Sequence, residues 1–215
     1  MIIAIDGPAG AGKSTVAKKV SALLGFMFID TGAIYRAITY SLIKDGIELD
    51  NIELLEDYLN NIDLKYTSEH IYFQGSVIDR EIREEIITSK TSDYSKNSII
   101  RSFATDFQRK LAKNNNVVME GRDIGTVVFP NADFKFFLTA SYEIRGLRRY
   151  EELKKSDDDV SLEETIEAIR IRDKNDSNRE LAPLKKAADA VEIDTSDIGI
   201  DQVIDIIIGY VRMED

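Results

Sequence analysis

The chain has no cysteine among its 215 residues and a single histidine. The first absence rules out disulfides, a thiolate zinc site and a cysteine nucleophile, and it leaves the redox compartment unconstrained. The second makes imidazole base chemistry and a histidine-built metal site poor expectations. His70 lies between two alternating segments, Ile62-Asp63-Leu64-Lys65-Tyr66 and Ile71-Tyr72-Phe73, where it reads as part of a hairpin turn. No apolar run approaches the length of a membrane span, so no membrane association is expected. The first residues already read as core strand; no signal peptide is therefore expected ahead of the fold, and the cytoplasm is the expected compartment. Basic residues are also in short supply. Against 39 acids stand 28 lysines and arginines, for a net charge of −11. Long polyanions want a basic face, so polymeric nucleic acid is not an expected partner. Phosphate ligands must instead be met by local clusters of arginine. With 43% hydrophobic and 31% charged residues, the chain reads as one globular domain with small insertions and enough apolar material for a sizeable core.

The most informative segment present is Gly7-Pro8-Ala9-Gly10-Ala11-Gly12-Lys13-Ser14, which fits the phosphate-loop pattern G-x-x-x-x-G-K-[ST] at every fixed position. Ahead of it, Met1-Ile2-Ile3-Ala4-Ile5 is a short β-branched run suited to a buried parallel strand. Behind it, from Thr15, the residues Val16, Val20, Leu23 and Leu24 fall on one helical face. Glycines let the backbone curl so that its N–H groups converge on phosphate oxygens, and a helix start favours the same anion. Lys13 is expected to reach the β and γ phosphates, and the Ser14 hydroxyl to ligate Mg²⁺.

Apolar strands alternate with helical stretches. Strands are predicted at 2–6, 27–29, 117–120, 134–139 and 190–193, and helices at 14–24, 32–45, 52–61, 95–114, 143–155, 162–176 and 200–212. This alternation predicts an α/β fold of the phosphate-loop NTPase type: a three-layer sandwich with a parallel central sheet, and ligands at the carboxyl ends of the strands. Two regions break the alternation. Residues 62–82 read as a small antiparallel insert with turns near Ser68-Glu69-His70 and Gln74-Gly75-Ser76. The charged stretch from Lys154 to Asp159 reads as a solvated loop or the tip of a lid.

Three further constellations carry chemistry. In Asp30-Thr31-Gly32-Ala33-Ile34-Tyr35-Arg36, Asp30 or Thr31 suits a helix cap, whereas Arg36 suits a second phosphate group. In Glu120-Gly121-Arg122-Asp123-Ile124-Gly125-Thr126, Glu120 ends a strand, as a carboxylate that holds Mg²⁺ does; an ion pair with Arg122 is the structural alternative. Arg172, Asp176 and Arg179 fall on one helical face if that helix runs far enough, and Arg145, Arg148 and Arg149 share a face of the preceding one. So many arginines in a chain this acidic read as a set converging on a polyanion.

G-P-A-G-A-G-K-S-T, D-T-G-A-I-Y-R-A, E-G-R-D-I-G-T-V-V-F-P and R-D-x-x-D-x-N-R-x-x-x-P-L, in that order and spacing from Ile2 to about Val211, closely resemble the bacterial cytidylate kinases. The resemblance implies transfer of a phosphoryl group from ATP to CMP or dCMP with Mg²⁺, by a monomer. It implies a core domain at 1–36, 100–150 and 178–215, a nucleoside monophosphate-binding region at 37–99 that includes the antiparallel insert, and a short lid at 151–177. Residues Gly7 to Thr15 (Gly7, Pro8, Ala9, Gly10, Ala11, Gly12, Lys13, Ser14 and Thr15) and Arg148 would bind ATP. Ser14 and Glu120 would bind the metal, Glu120 standing where other members have Asp. Ser92, Arg101 and Asp123 match the positions that read the base, and Thr31 stands where some members have serine. Arg172 and Asp176 would hold the sugar hydroxyls, and Arg36, Arg122 and Arg179 the phosphates, with Lys13, Arg122, Arg172 and Arg179 as the catalytic set. The base assignment is chemically consistent. A carboxylate accepts from the cytosine amino group, whereas uracil would set O4 against it, at a cost of about 1–3 kcal/mol for the unpaired group. A small phosphate-loop kinase of another acceptor, or a nucleotide-dependent switch, would share the loop. The first needs neither Asp123 nor the insert; a GTPase switch needs an N-K-x-D string, which Asp173-Lys174-Asn175-Asp176 is not.

Overall fold

The computed structural model describes residues 1–67, 70–155 and 160–213. The chain divides into two compact units, Met1–Phe28 with Asn116–Asp215, and Ile29–Asn115. The domain boundaries expected at 36/37 and 99/100 fall instead inside two helices of the second unit.

The first unit is built on a parallel sheet. The sheet's strands are β1 (Ile2–Asp6), β2 (Met27–Asp30), which runs on into the second unit, β6 (Val117–Gly121), β7 (Phe134–Thr139) and β8 (Val191–Asp194), in the order β2-β6-β1-β7-β8. β1 is central, paired to β6 from Ile2↔Val117 to Asp6↔Gly121 and to β7 from Ile3↔Phe134 to Asp6↔Phe137. The period-2 alternation of the strands puts Ile3, Ile5, Val118, Phe136, Leu138 and Ile193 on one face. There they meet α1 (Lys13–Leu24) through Val16, Ala17 and Val20, and α8 (Ile200–Arg212) through Val203, Ile204, Ile207 and Val211. Leu23, expected on the inward face of α1, is 64% exposed; the 3.6-residue period gives that face to Ala17 instead. Ala4, Val117 and Met119 are fully buried on the other face, so the sheet is covered on both sides. α6 (Tyr142–Leu153) and α7 (Leu162–Asn178) pack against each other, capped by Ser141 and Ser161. The tip expected as a lid, residues 156–159, lies outside the described residues.

The second unit is mostly helical: α2 (Thr31–Lys44), α3 (Ile52–Asn61), α4 (Glu85–Tyr94) and α5 (Ser98–Ala112). The antiparallel insert is present as β3 (Leu64–Tyr66), β4 (Ile71–Phe73) and β5 (Ser76–Val77). Gln74 and Gly75 turn β4 into β5 with both φ values positive, at 50° and 73°, as a two-residue hairpin turn requires. His70 follows the other turn, whose Ser68 and Glu69 lie outside the described residues. Its carbonyl accepts from the Thr67 N–H at 2.8 Å, closing the hairpin turn as expected, and its Nδ1 meets Asp79, beyond β5, at 2.6 Å. One expectation fails here. The helix predicted over 95–114 starts only at Ser98, capped by Asn97, and a separate helix, α4, precedes it. α4 buries only Ile87 and carries Thr88, Ser89, Thr91 and Ser92, residues of weak helix propensity, so no apolar stripe announces it.

Phe136 is 1% exposed at the centre of the sheet core. Phe136→Ala is expected to lower unfolding free energy by about 3–5 kcal/mol, read from urea denaturation with an unchanged m-value.

Candidate active site

β1 ends in Asp6, and the chain then turns over the sheet edge through Gly7. A Cβ on Gly7 would stand 2.0 Å from the Leu138 carbonyl oxygen, and its φ is +148°, so only glycine passes here. The loop ends at Gly12, with φ +83°, and α1 starts at Lys13. Five helices, α2, α3, α5, α6 and α7, have side-chain N-caps; α1 has none and no acid in its first turn. Its first N–H groups are thereby left for an outside acceptor, and the helix dipole favours an anion. Ser14 and Thr15 lie exposed at this start.

Lys13 is buried, and its Nζ folds back to the Pro8 carbonyl at 2.6 Å. Burial pushes its ammonium down to about 7; Arg122 and Arg172 push the same way, and Glu120 and Asp6 oppose them. Arg122 follows β6 and donates from Nε to Asp176 at 2.9 Å. Arg179 donates to Asp123 at 3.3 Å and approaches Asp176 at 3.9 Å. Asp176 thus joins Arg122 and Arg179, two of the expected phosphate ligands. α7 stops at Asn178, and Arg179 leaves it with extended backbone (ψ 141°), its Nε held by the Ala182 carbonyl at 2.5 Å. The expected single helical face for Arg172, Asp176 and Arg179 therefore ends at Asp176. Arg179 reaches the same place from the segment beyond.

The arginines of α6 do not converge as a trio. Arg145 turns inward to a buried ion pair with Asp173. Arg148, expected on ATP, donates from Nη1 and Nη2 to Thr195, at 2.9 Å to the hydroxyl and 2.6 Å to the carbonyl. Arg149 stays half exposed against Glu152. They share one helical face, but packing of α7 on α6 buries one edge of it and leaves the other in water.

Sequence reasoning passed over Asp6. Its two carboxylate oxygens accept from the backbone N–H groups of Ile124 (2.9 Å) and Gly125 (2.7 Å). They hold the π-helical turn Ile124–Val128, whose preceding residue is Asp123. Burial raises the Asp6 carboxyl to about 6, the two N–H bonds opposing. The available signal was an acid closing an apolar strand, the same signal that singled out Glu120.

Glu120 is buried at the end of β6, beside β1. Among the described residues no group of three or more acids or histidines forms a cation cage. Mg²⁺ rarely uses one; it takes one or two protein oxygens and completes its shell with phosphate and water. A strand-end carboxylate and a helix-start hydroxyl, Glu120 and Ser14, fit that donor set.

Thr31, Arg36, Ser92 and Arg101 belong to the second unit. Asp30, rather than Thr31, caps α2 through the Ala33 N–H at 2.9 Å and also takes Arg36 at 3.2 Å. The Nε of Arg36 is buried with no partner among the described residues, a donor awaiting an acceptor. Ser92 and Arg101 come together through Ser95, whose hydroxyl donates to the Ser92 carbonyl and whose carbonyl accepts from Arg101. The Arg101 guanidinium lies 5.5 Å from the Tyr35 ring centre.

A family model described as cytidylate kinase matches residues 3–213. The chain belongs to the cytidylate kinase family. It is 48% identical over 210 residues to the cytidylate kinase of Caldanaerobacter subterraneus subsp. tengcongensis, covering 98% of this chain and 94% of that protein. The cytidylate kinase of Clostridioides difficile is 45% identical over 213 residues, with 99% of each covered. A solved structure of an uncharacterized protein from Eubacterium ventriosum aligns at TM-score 0.54 and 15% identity, over 99% of this chain and 98% of that one, a likeness of fold alone.

The raised Asp6 carboxyl has a thermodynamic consequence. Between roughly pH 4 and 6 the folded protein keeps a proton that the unfolded chain has released, so this group's contribution to stability falls as pH rises through that window. The stability difference between wild type and Asp6→Asn should therefore shift against wild type by up to about 3 kcal/mol from pH 4 to pH 7. Equal differences at both pH values, in urea titrations, would show that Asp6 titrates normally.

Proposed function

We propose that this member of the family transfers the γ-phosphoryl group of ATP to CMP or dCMP, giving ADP and CDP or dCDP. The observation that carries the reading is the grouping, within the first unit, of an uncapped phosphate loop, a buried Lys13 and the Asp6-held turn that bears Asp123. The relatives named above support the acceptor.

The backbone of Gly7 to Thr15 cradles the ATP phosphates, and Lys13 draws them to β1. Ser14 and Glu120 would hold Mg²⁺, which would supply charge neutralisation at the donor phosphates. Phosphoryl transfer asks little covalent work of the protein; positioning and charge neutralisation suffice. Arg122, Arg172 and Arg179 supply the neutralising charge around the moving group. Arg36 holds the acceptor phosphate, its buried Nε gaining the partner it lacks. Asp123 accepts from the cytosine amino group, and Ser92, Arg101 and Thr31 donate to the acceptor nucleotide. Arg172 and Asp176 hold its sugar hydroxyls. No helix of the described residues is long and apolar enough to cross a membrane, and we read the enzyme as a cytoplasmic monomer that acts on free nucleotides.

Two measurements test these roles. Asp123→Ala should lower kcat/KM for CMP by about tenfold or more beyond its effect on UMP, the worth of one buried amino–carboxylate hydrogen bond. Equal losses on the two acceptors would remove Asp123 from base recognition. Lys13 offers a second readout, because phosphate raises a lysine whose value in the free protein is about 7. At pH 8, ATP binding should therefore take up close to one proton, seen as buffer-dependent calorimetric enthalpy, and Lys13→Met should abolish the uptake. Buffer-independent enthalpy for wild type would contradict this.

A further inference from the structure

The α6 arginines, read from sequence as phosphate ligands, point to a different role. Arg145 and Asp173 are each 5% exposed or less, and they form the most deeply buried ion pair among the described residues. Each of the two also bonds to the same residue of the phosphate loop. The Ala9 N–H donates to Asp173 Oδ1 at 3.2 Å, and the Ala9 carbonyl accepts from Arg145 Nη1 at 2.9 Å. Arg145 Nε is held in turn by the Ala140 carbonyl at 2.9 Å, at the end of β7. The next loop residue confirms how close the approach is. A Cβ on Gly10, whose φ is +75°, would lie 2.9 Å from the Arg145 carbonyl oxygen and 3.0 Å from its Cβ. Arg148 adds a second brace: it fixes Thr195, whose hydroxyl donates to the Thr139 carbonyl at 3.0 Å and lies 3.4 Å from that of Ala11.

We propose that Arg145 and Asp173 form a positioning clasp, gripping both polar groups of Ala9 so that the phosphate loop is held ready for the donor nucleotide. Neither side chain touches ATP. The clasp joins α6 and α7 to the loop, so the donor site depends on how those two helices are packed. Asp173 leaves its neighbours Arg172 and Asp176 to their own work: it is buried and faces the loop, whereas Arg172 is exposed.

The inference deepens the proposed function and rests on it for the identity of the donor. Its test separates positioning from stability. A buried ion pair replaced on both sides by apolar residues of similar volume commonly keeps its fold. In Arg145→Met/Asp173→Leu, ATP affinity measured by calorimetry without acceptor should fall by about tenfold or more, the cost of losing the two bonds to Ala9, while CMP affinity stays within about twofold. ATP affinity unchanged, or ATP and CMP affinities falling together with the melting temperature, would overturn the clasp. Should the double variant not fold, amide exchange in the wild-type protein decides. The Ala9 N–H should exchange as slowly as the core strand β1, and exchange at the free-chain rate would refute the clasp. Failure of wild-type protein to bind CMP would instead defeat the acceptor assignment and leave the exchange result standing.

Discussion

A buried ammonium sets the terms for the first unit. Lys13 sits at the carboxyl end of the central strand, where burial lowers its affinity for a proton. Arg122, which presses on it, is itself compensated by Asp176, and Arg179 and Arg145 are paired in the same way, with Asp123 and Asp173. Part of the chain's large acidic surplus is spent in this way. The net charge of −11 thus coexists with Lys13, Arg122 and Arg172 acting on one another at the phosphate loop. An entering polyphosphate offers the same cations a stronger partner.

The second unit uses the same device once more. Asp30 both caps α2 and pins Arg36, so one carboxylate fixes the helix start and aims the guanidinium. Ser95 links Ser92 to Arg101 through backbone carbonyls, which sets two donors at the junction of α4 and α5. In both units the arginines assigned to nucleotide are oriented by acidic neighbours.

That pattern explains what the sequence made legible. The glycine loop, the turn after β6 and the Asp30 to Arg36 segment are local strings, and their spacing alone marks them. The parallel sheet was legible because buried strands are continuous apolar runs. What escaped was non-local. Asp6 holds backbone 118 residues away, and Asp173 holds Ala9 across 164 residues; nothing near either residue signals such a partner. Arg145, Arg148 and Arg149 look alike on a helical wheel, and only tertiary packing separates the buried Arg145 from Arg148, held by Thr195, and the half-exposed Arg149. α4 was missed because polar residues of weak helix propensity cover a helix that buries a single isoleucine.

The central claim, that this loop and this turn serve phosphoryl transfer to a cytosine nucleotide, is tested most directly by ADP formation from Mg·ATP. CMP, dCMP, UMP, AMP, GMP, shikimate and a no-acceptor control would be compared in one assay. The account predicts strong turnover with CMP and dCMP, weak turnover with UMP, and none above background with the others. Turnover without acceptor, or none with CMP, would contradict it.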